Sequence, residues 1–224
     1  LSWPARIGMA VNYLLRRRGP LSLSVNQGGG FYRTRPELTR PDMQLYFSPL
    51  SYERAVPGVR ALMKPDPFPG FSLSVSPCRP LSRGHVAIRS PDPQVAPEIA
   101  PNYLSDPEDL CILLDGARFL HRLAATPTLS AVIDTAIRPG PEAADEEAHV
   151  AAIRANAYSV FHPCGTCRMG PDVSDAVVDA RLRVHGVEGL RVVDASIFPT
   201  IPSGNINAPA MMVGERAAAL MAEG

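Results

Sequence analysis

The sequence lacks an excess of charge of either sign, and it also lacks a long apolar run. Its 22 Lys and Arg residues equal its 22 Asp and Glu residues, so the formal net charge at pH 7 is zero. A balanced composition argues against a polyanion such as nucleic acid as the partner. No apolar stretch approaches the roughly 20 residues that a membrane-spanning helix needs. We therefore expect neither a nucleic-acid partner nor a membrane-spanning helix.

Cysteine is also scarce. The four cysteines lie at positions 78, 111, 164 and 167, which do not form a disulfide framework in a chain of 224 residues. Cys164 and Cys167 form one C-x-x-C, but no second pair of cysteines or histidines completes a zinc site. Gly170-Pro171 follows closely and would break the helix that a thioredoxin-like pair opens. We expect no metal site, and we expect these two thiols to be small, half-buried side chains.

The first third of the chain does contain apolar and polar residues that alternate with period two, which is typical of half-buried strands. Proline-rich connections such as KPDPFPG separate these segments, as expected of an antiparallel sheet with long loops. A strand rather than a helix follows the glycines at 28–30, so they indicate a bulge or a close backbone approach and not a phosphate loop. The predicted strands are 21–27, 31–34, 43–48, 71–76 and 85–90.

Helical patterns follow the strands. Ser105-Asp106-Pro107-Glu108 has the form of a capping box with proline just inside the helix. Leucines then recur on one face until Thr126-Pro127, and a second helix is predicted over 142–158. A solvated helical face or a turn is the favoured interpretation of the three arginines at 16–18. Near the end, 182–186 and 189–196 have the pattern of short strands, and 210–221 has that of a helix.

A polar loop, Ser203-Gly204-Asn205-Ile206-Asn207, precedes this last helix between apolar residues and prolines. Buried amides need hydrogen-bond partners. The helix N-terminus that follows could point its free N–H groups at a ligand. On the pattern alone, helix capping by the amides is favoured over contact with a ligand.

Two long motifs make the chain recognisable. FHPCGTCRMG (161–170) and the segment from VVDARLRVHG to MMVGERAA (177–218) resemble the C-terminal region of the glucose–methanol–choline (GMC) flavin oxidoreductases. The segments 19–49 and 82–110 resemble the substrate domain of the same family. The resemblance covers essentially the whole chain and is closest to bacterial choline dehydrogenase-like and alcohol dehydrogenase-like members. We expect the chain to be a piece of a longer polypeptide.

The resemblance implies an α+β fold in two parts. Residues 1–160 would form a substrate-binding domain, an antiparallel β-sheet with flanking helices. Residues 161–224 would form a catalytic, FAD-contacting segment whose strands and helix complete an FAD-binding, Rossmann-like domain. The dinucleotide fingerprint G-x-G-x-x-G is absent from the sequence. The FAD pyrophosphate site is therefore expected in an N-terminal part, without which this chain would bind little FAD and be inactive.

The implied reaction is the FAD-dependent oxidation of a primary alcohol to the aldehyde, with hydride transfer to flavin N5. Such a reaction needs a base for the hydroxyl proton, and histidine commonly serves because its ordinary pKa lies near neutrality. By motif match that base is His162, and Asn205 is the residue that hydrogen-bonds the substrate oxygen. The resemblance also places Phe161, Ile206 and Asn207 against the isoalloxazine ring. Asp194 and Ala195 would lie near the ribityl–phosphate region.

Substrate and partners follow from the same resemblance. Choline-specific relatives carry a glutamate in the segment that matches NQGGGF, where this chain has Gln27. A neutral amide favours an uncharged primary alcohol, because cation recognition would then depend on aromatic faces alone. Choline dehydrogenase activity is the second alternative, and a non-catalytic remnant or binding module of the same fold is the third. The expected partners are a small alcohol and the missing FAD-binding part. The expected location is the cytoplasm, and any association with a membrane would be through the electron acceptor.

Overall fold

The structure is a computed structural model that describes residues 2–24, 26–53, 64–139 and 145–223. The described residues combine helices with short strands and two 3-10 helices, Pro20–Ser22 and Ala195–Ile197. The helices are α1 (Trp3–Arg16), α2 (Pro107–Ala124), α3 (Pro127–Ser130), α4 (Glu146–Asn156) and α5 (Asn207–Ala222). The strands are β1 (Gly28–Tyr32), β2 (Met43–Ser48), β3 (Tyr52–Glu53), β4 (Lys64–Pro65), β5 (Ser72–Pro77), β6 (His85–Ala87) and β7 (Glu98–Ala100).

The strands form three small sheets. One sheet has three strands in the order β1-β2-β5. The strands β3 and β4 pair antiparallel, and so do β6 and β7, with Val86 opposite Ile99. A mixed fold with antiparallel sheets is therefore confirmed. The completion of a Rossmann-like domain by the C-terminal residues stays a prediction.

The chain divides into two compact units. The first comprises Leu1–Phe31 with Leu45–Ser74, and the second comprises Tyr32–Gln44 with Val75–Gly224. The expected boundary at residue 160 separates a substrate-binding domain of sheet and helices from an FAD-contacting segment, and the division into compact units does not test it. That boundary therefore stays a prediction.

The first unit contains α1 and one end of the three-stranded sheet. A Cβ atom at Gly29 would lie 2.3 Å from the backbone oxygen of Leu45, so only glycine permits this strand approach. The close backbone approach predicted for the glycines is confirmed. The rings of Phe47 and Phe71 pack beside them with centroids 5.7 Å apart. In contrast, the α1 side chains of Trp3, Ile7, Val11 and Leu14 are exposed.

In the second unit, α2 packs on residues of the sheet. The ring of Phe119 stacks on Tyr32 with centroids 4.1 Å apart. Met43 is fully buried, and a Cβ atom at Gly116 would lie 2.9 Å from its Cε atom and 3.0 Å from Val75 Cγ2. Glycine at this point of α2 therefore lets the helix approach the sheet closely.

A buried carboxylate attaches α2 to the segment that follows β5. Asp109 is only 2% exposed, and its Oδ1 accepts from the Leu81 N–H at 2.7 Å. Its Oδ2 accepts from the N–H and the hydroxyl of Ser82, at 2.8 and 2.5 Å. Both carboxylate oxygens are thus bound by neighbouring donors, which is what burial of a charge requires.

The C-terminal residues form an apolar core under α5. The helix buries a stripe at the i, i+4, i+7 spacing of one helical face. The core comprises Val178, Leu182, Ile197, Val213, Ala217 and Leu220. This core fixes the chain on either side of the 3-10 helix at 195–197.

Several predicted strands agree with the structure and others do not. The prediction for 43–48 matches β2 at both ends, and β1, β5 and β6 overlap their predicted segments. The strand predicted at 21–27 is wrong, because Pro20 opens a 3-10 helix and no strand includes residues 23–24 or 26–27. Val25 lies outside the described residues. The segments 182–186 and 189–196 form only isolated bridges, since Gly186 and Gly189 at φ of +74° and +73° turn the chain too soon for a ladder.

The helices also differ in detail from the patterns. Asp106, not Ser105, caps α2, and its side chain accepts from the Glu108 N–H at 2.9 Å. The capping box is therefore wrong, because Glu108 stands at the second helical position and pairs with Arg35 instead. The helix predicted over 142–158 is α4, capped by Asp145, while 142–144 lie outside the described residues. The helix α1 was not predicted, although the helical or turn interpretation of 16–18 is confirmed by its last residues.

Candidate active site

His162 lies in an irregular segment between α4 and the C-terminal core. The backbone N–H groups of Cys167 and Met169 donate to the carbonyl oxygens of Ser196 and Ile197, at 3.0 and 2.7 Å. The end of the FHPCGTCRMG motif is therefore bound to the 3-10 helix at 195–197. This attachment fixes the path of the chain just after His162.

The residue before the histidine has an unusual backbone. Phe161 has a φ of +63°, and its N–H donates to the Ser159 hydroxyl at 2.8 Å. A side chain in this left-handed region costs about 1–2 kcal/mol, and such residues cluster at functional sites. The Phe161 ring is 76% exposed. An exposed aromatic ring beside the histidine is available for contact with a planar ligand.

Asn205 lies in the loop that leads into α5. The N-cap of that helix is Ile206, and no side chain makes a capping hydrogen bond there. The capping interpretation of the loop amides is therefore wrong for Asn205. Its amide is directed instead at side chains far away in the sequence.

The two residues meet although they are 43 positions apart. Asn205 Nδ2 lies 2.6 Å from His162 Nε2, and Asn205 Oδ1 accepts from Gln44 Nε2 at 3.1 Å. His162 is half-buried and Asn205 is exposed. Because an amide N–H only donates, the facing nitrogen of His162 presents a lone pair. The arrangement combines a proton acceptor and a hydrogen-bond donor at one open position.

Two contacts of this loop, and a third that joins Arg79 to Pro41, have no signal in the sequence. Gln44 occupies a polar position in the alternation of β2, which a strand pattern assigns to the solvent side. Arg79 Nη1 donates to the Ser203 hydroxyl at 2.6 Å, and its Nη2 donates to the Pro41 carbonyl at 2.8 Å. No local signal could have revealed these contacts, because each joins residues far apart in the sequence.

The residues expected on the cofactor side lie around the same two segments. Asp194 is exposed, and its carboxylate accepts from the N–H and the hydroxyl of Ser196, while Ala195 opens the 3-10 helix. Ile206 is buried and Asn207 is the exposed first residue of α5. These four residues belong with Phe161, His162 and Asn205 to the second compact unit. Their contacts with a cofactor stay predictions.

Gln27 is the one named site residue that belongs to the first compact unit. Its backbone N–H donates to the Phe47 carbonyl at 2.9 Å, and its side-chain amide donates to the carbonyl of Ser24. The side chain is exposed and neutral. Its role as a substrate contact stays a prediction.

The cysteines of the motif are free and half-buried, as predicted. Burial raises the pKa of the Cys164 thiol, although the charge of Arg83 opposes this in part. A raised pKa keeps the sulfur protonated and therefore a poor nucleophile and metal ligand. In the ranges that the structure describes, no three His, Cys, Asp or Glu side chains group as metal ligands, and no helix is long and apolar enough to cross a bilayer.

The sequence model of one protein family, GMC oxidoreductase, matches residues 80–214, which is more than half of the chain. The chain belongs to the GMC oxidoreductase family. The matched range includes both His162 and Asn205, so the pair lies inside the segment that defines the family.

Named GMC relatives agree with this assignment. An alcohol dehydrogenase [acceptor] of Pseudomonas putida is 37% identical over 210 residues, which are 94% of this chain and 37% of the relative. An oxygen-dependent choline dehydrogenase of Escherichia coli is 39% identical over 218 residues, which are 97% of this chain and 38% of the relative. Both names describe enzymes that oxidise CH–OH compounds.

A solved structure shows the same fold. A substituted formate oxidase of Aspergillus oryzae, studied for the modification of its FAD, matches 99% of this chain and 42% of its own with a TM-score of 0.81 at 25% identity. The resemblance to the GMC flavin oxidoreductases, with relatives that are named alcohol dehydrogenase and choline dehydrogenase, is thus confirmed. The chain spans less than two fifths of the length of the two named dehydrogenases.

Proposed function

We propose that this chain carries the substrate-binding and proton-transfer part of an enzyme that oxidises a neutral primary alcohol to its aldehyde with FAD. The observation that carries the proposal is the 2.6 Å contact between Asn205 Nδ2 and His162 Nε2. FAD, when bound, accepts a hydride from the alcohol carbon. The residues of this chain bind the hydroxyl group, take its proton and stabilise its oxygen.

The His162–Asn205 pair is complementary to a hydroxyl group. A hydroxyl offers one proton and two lone pairs, whereas the pair presents one lone pair and one N–H. An alcohol placed between the two side chains donates to His162 Nε2 and accepts from Asn205 Nδ2, so one hydrogen bond is exchanged for two. His162 then takes the hydroxyl proton as general base. The Asn205 N–H stabilises the negative charge that develops on the oxygen without competing for the proton.

The residues on the cofactor side fit a flavin in their chemistry. Phe161 offers an exposed aromatic face. The N-cap of α5 at Ile206 makes no side-chain hydrogen bond, so the positive end of the helix would favour a bound group that carries negative charge. We assign Phe161, Ile206 and Asn207 to the isoalloxazine, and Asp194 and Ala195 to the ribityl–phosphate region.

The proposed partner is an FAD-binding part that supplies the pyrophosphate site. The support is the absence of G-x-G-x-x-G from this sequence and the greater length of the named dehydrogenases. The chain by itself would then bind little FAD and turn over no alcohol. A location in the cytoplasm, with membrane association through the electron acceptor, completes this proposal.

The proposed substrate is neutral because Gln27 carries no charge. A quaternary ammonium would have to rely on aromatic faces, which is why choline is the second candidate despite the choline dehydrogenase relative. Gln27→Glu should therefore raise activity on choline relative to benzyl alcohol, with Gln94→Glu as the control for added charge. A marked gain on benzyl alcohol would contradict the assignment of Gln27.

A non-catalytic remnant of the fold is the competing proposal. Against it stands the retention of both His162 and Asn205 in hydrogen-bonding contact. A remnant would have no reason to keep a base and a donor directed at each other in an open position. Flavin reduction by any primary alcohol would exclude the remnant.

The test is anaerobic flavin reduction in the complete enzyme that contains this chain. His162→Gln should slow the bleaching of oxidised FAD by a primary alcohol about 10²–10⁴-fold, which is the usual contribution of a general base. His85→Gln is the matched control, because His85 is an exposed histidine of β6 outside the pair. A His162→Gln enzyme that reduces its flavin as fast as the control would overturn the proposal.

A further inference from the structure

Gln44 contacts the candidate pair from β2, 161 positions before Asn205 in the sequence. Its Nε2 lies 3.1 Å from Asn205 Oδ1, and its side chain is half-buried. Among the side-chain hydrogen bonds of the described residues, Gln44 is joined to the amide oxygen of Asn205 and not to His162. Whatever it does for the histidine must therefore pass through Asn205.

An asparagine amide has two different ends, a carbonyl that accepts and an NH2 that donates. When Gln44 donates to the carbonyl oxygen, the NH2 end of Asn205 is turned toward His162. Asn205 Nδ2 lies 2.6 Å from His162 Nε2 and can donate only to a lone pair there. In this arrangement the ring proton of neutral His162 is therefore on Nδ1. With the amide reversed, Oδ1 would face His162 and would favour a proton on Nε2. The nitrogen that faces the substrate position would then have no lone pair for a hydroxyl proton.

A separate contact holds the loop in place. Arg79 bridges the Ser203 hydroxyl and the Pro41 carbonyl, at 2.6 and 2.8 Å. The loop around Asn205 is thus bound to the segment that contains Gln44 at two points, through the Arg79 bridge and through the Gln44–Asn205 hydrogen bond. Arg79 fixes where the loop lies, and this leaves the orientation of the amide to Gln44.

We infer that Gln44 is a positioning residue that orients the Asn205 amide and thereby sets the tautomer of His162. The inference rests on the proposed role of His162 as the base. It assigns a function in the reaction to a strand residue that acts on the base through the Asn205 amide. The chemical requirement on this position is a hydrogen-bond donor, which glutamine meets and ionised glutamate does not.

The test is the imidazole ¹⁵N spectrum of the complete enzyme labelled at histidine, with His162→Gln used to assign the signals. The unsubstituted enzyme should show His162 mainly as the Nδ1–H tautomer. Gln44→Glu replaces the donor with an acceptor, so the amide should reverse and the Nε2–H tautomer should become the major form. Flavin reduction by a primary alcohol should fall about 10–100-fold, by analogy with the loss of an outer partner that orients a metal-binding histidine.

Two further variants make the test specific. Gln44→Met keeps the size of the side chain but offers no donor, so it should give a mixture of tautomers even if Gln44→Glu does not fold. Gln94→Glu adds the same charge in an exposed loop and should leave the tautomer and the rate unchanged.

The outcomes separate this inference from the proposed function. An Nε2–H tautomer in the unsubstituted enzyme, or an unchanged tautomer in Gln44→Glu and Gln44→Met, would overturn the role of Gln44. If the tautomer follows Gln44 while His162→Gln keeps full flavin reduction, the positioning inference holds and the base assignment fails.

Discussion

Two polar clusters of the second unit differ in their burial and in how many of their donors and acceptors are hydrogen-bonded. Asp109 is 2% exposed, and both of its oxygens are occupied by donors of Leu81 and Ser82. His162 and Asn205 lie partly in solvent and are joined to each other by one contact. The first cluster is closed to solvent and both of its carboxylate oxygens are hydrogen-bonded, whereas the second is accessible and can exchange the bond between its two members for bonds to a ligand.

The difference shows how burial and bonding separate a stabilising cluster from a reactive one. A buried carboxylate whose two oxygens are both hydrogen-bonded stabilises the fold, since hydrogen bonds to a charged group are strong. An open pair contributes little to stability because water can replace each bond. Substitutions in the Asp109 cluster should therefore lower stability. Substitutions of His162 or Asn205 should lower activity with little change in stability.

The largest change in stability is expected for Asp109→Ala. The buried carboxylate would be lost together with its hydrogen bonds from the Leu81 and Ser82 N–H groups, so the free energy of unfolding should fall by about 3 kcal/mol. Urea denaturation followed by circular dichroism would measure this. A loss below about 1 kcal/mol would mean that the carboxylate does not hold α2 to the chain.

A smaller loss is expected for Asp106→Ala, three positions earlier on the same helix. Asp106 accepts one N–H, from Glu108, as the N-cap of α2. Loss of an N-cap costs about 1 kcal/mol. The same denaturation experiment provides the comparison, and a loss equal to that of Asp109→Ala would show that charge removal rather than saturation sets the effect.

Asp179 should make an intermediate contribution to the free energy of unfolding, and this contribution should depend on pH. Burial alone would raise its pKa, but hydrogen bonds from the Arg183 side chain and from the Arg183 and Arg181 N–H groups hold the pKa below its ordinary value. A lowered pKa contributes stability above the ordinary carboxyl range, and this is lost as the pH falls through the folded pKa. Asp179→Asn should cost about 1 kcal/mol at pH 7. The two proteins should become equally stable in acid, and a difference that persists there would contradict the linkage.

The smallest change in stability is expected for His162→Ala and Asn205→Ala. Both side chains are open to water, so each variant should unfold within about 1 kcal/mol of the unsubstituted protein. The same variants should lose most of the flavin reduction. If either variant lost as much stability as Asp109→Ala, the pair would belong with the structural clusters.

The sequence predicts those helices and strands whose structure depends mainly on their own residue pattern. Both ends of strand β2 are predicted correctly, because its apolar and polar residues alternate and its first residue, Met43, is buried. Helix α2 was found from its leucines, although the cap was placed one residue early. Helix α1 is not predicted from the sequence, and most of its large apolar side chains are exposed while none of its residues is fully buried.

The site was predictable only in part. His162 and Asn205 were identified from family motifs, but their contact depends on a fold that brings positions 43 residues apart together. Gln44 could not be identified, because a polar residue in an alternating strand has the same pattern whether it faces water or an amide. The preference of amides for helix caps also misled the interpretation of Asn205, whose cap position is taken by Ile206.

The mutual bond between His162 and Asn205 has a consequence for the design of inhibitors. On the proposed mechanism a ligand must break this bond, so the best binders are those whose hydroxyl is a stronger proton donor than that of an ordinary alcohol. Fluorinated alcohols have such acidic hydroxyl groups, and their electron-poor carbon gives up hydride reluctantly. They should occupy the position between the two side chains and compete with substrate while being oxidised slowly.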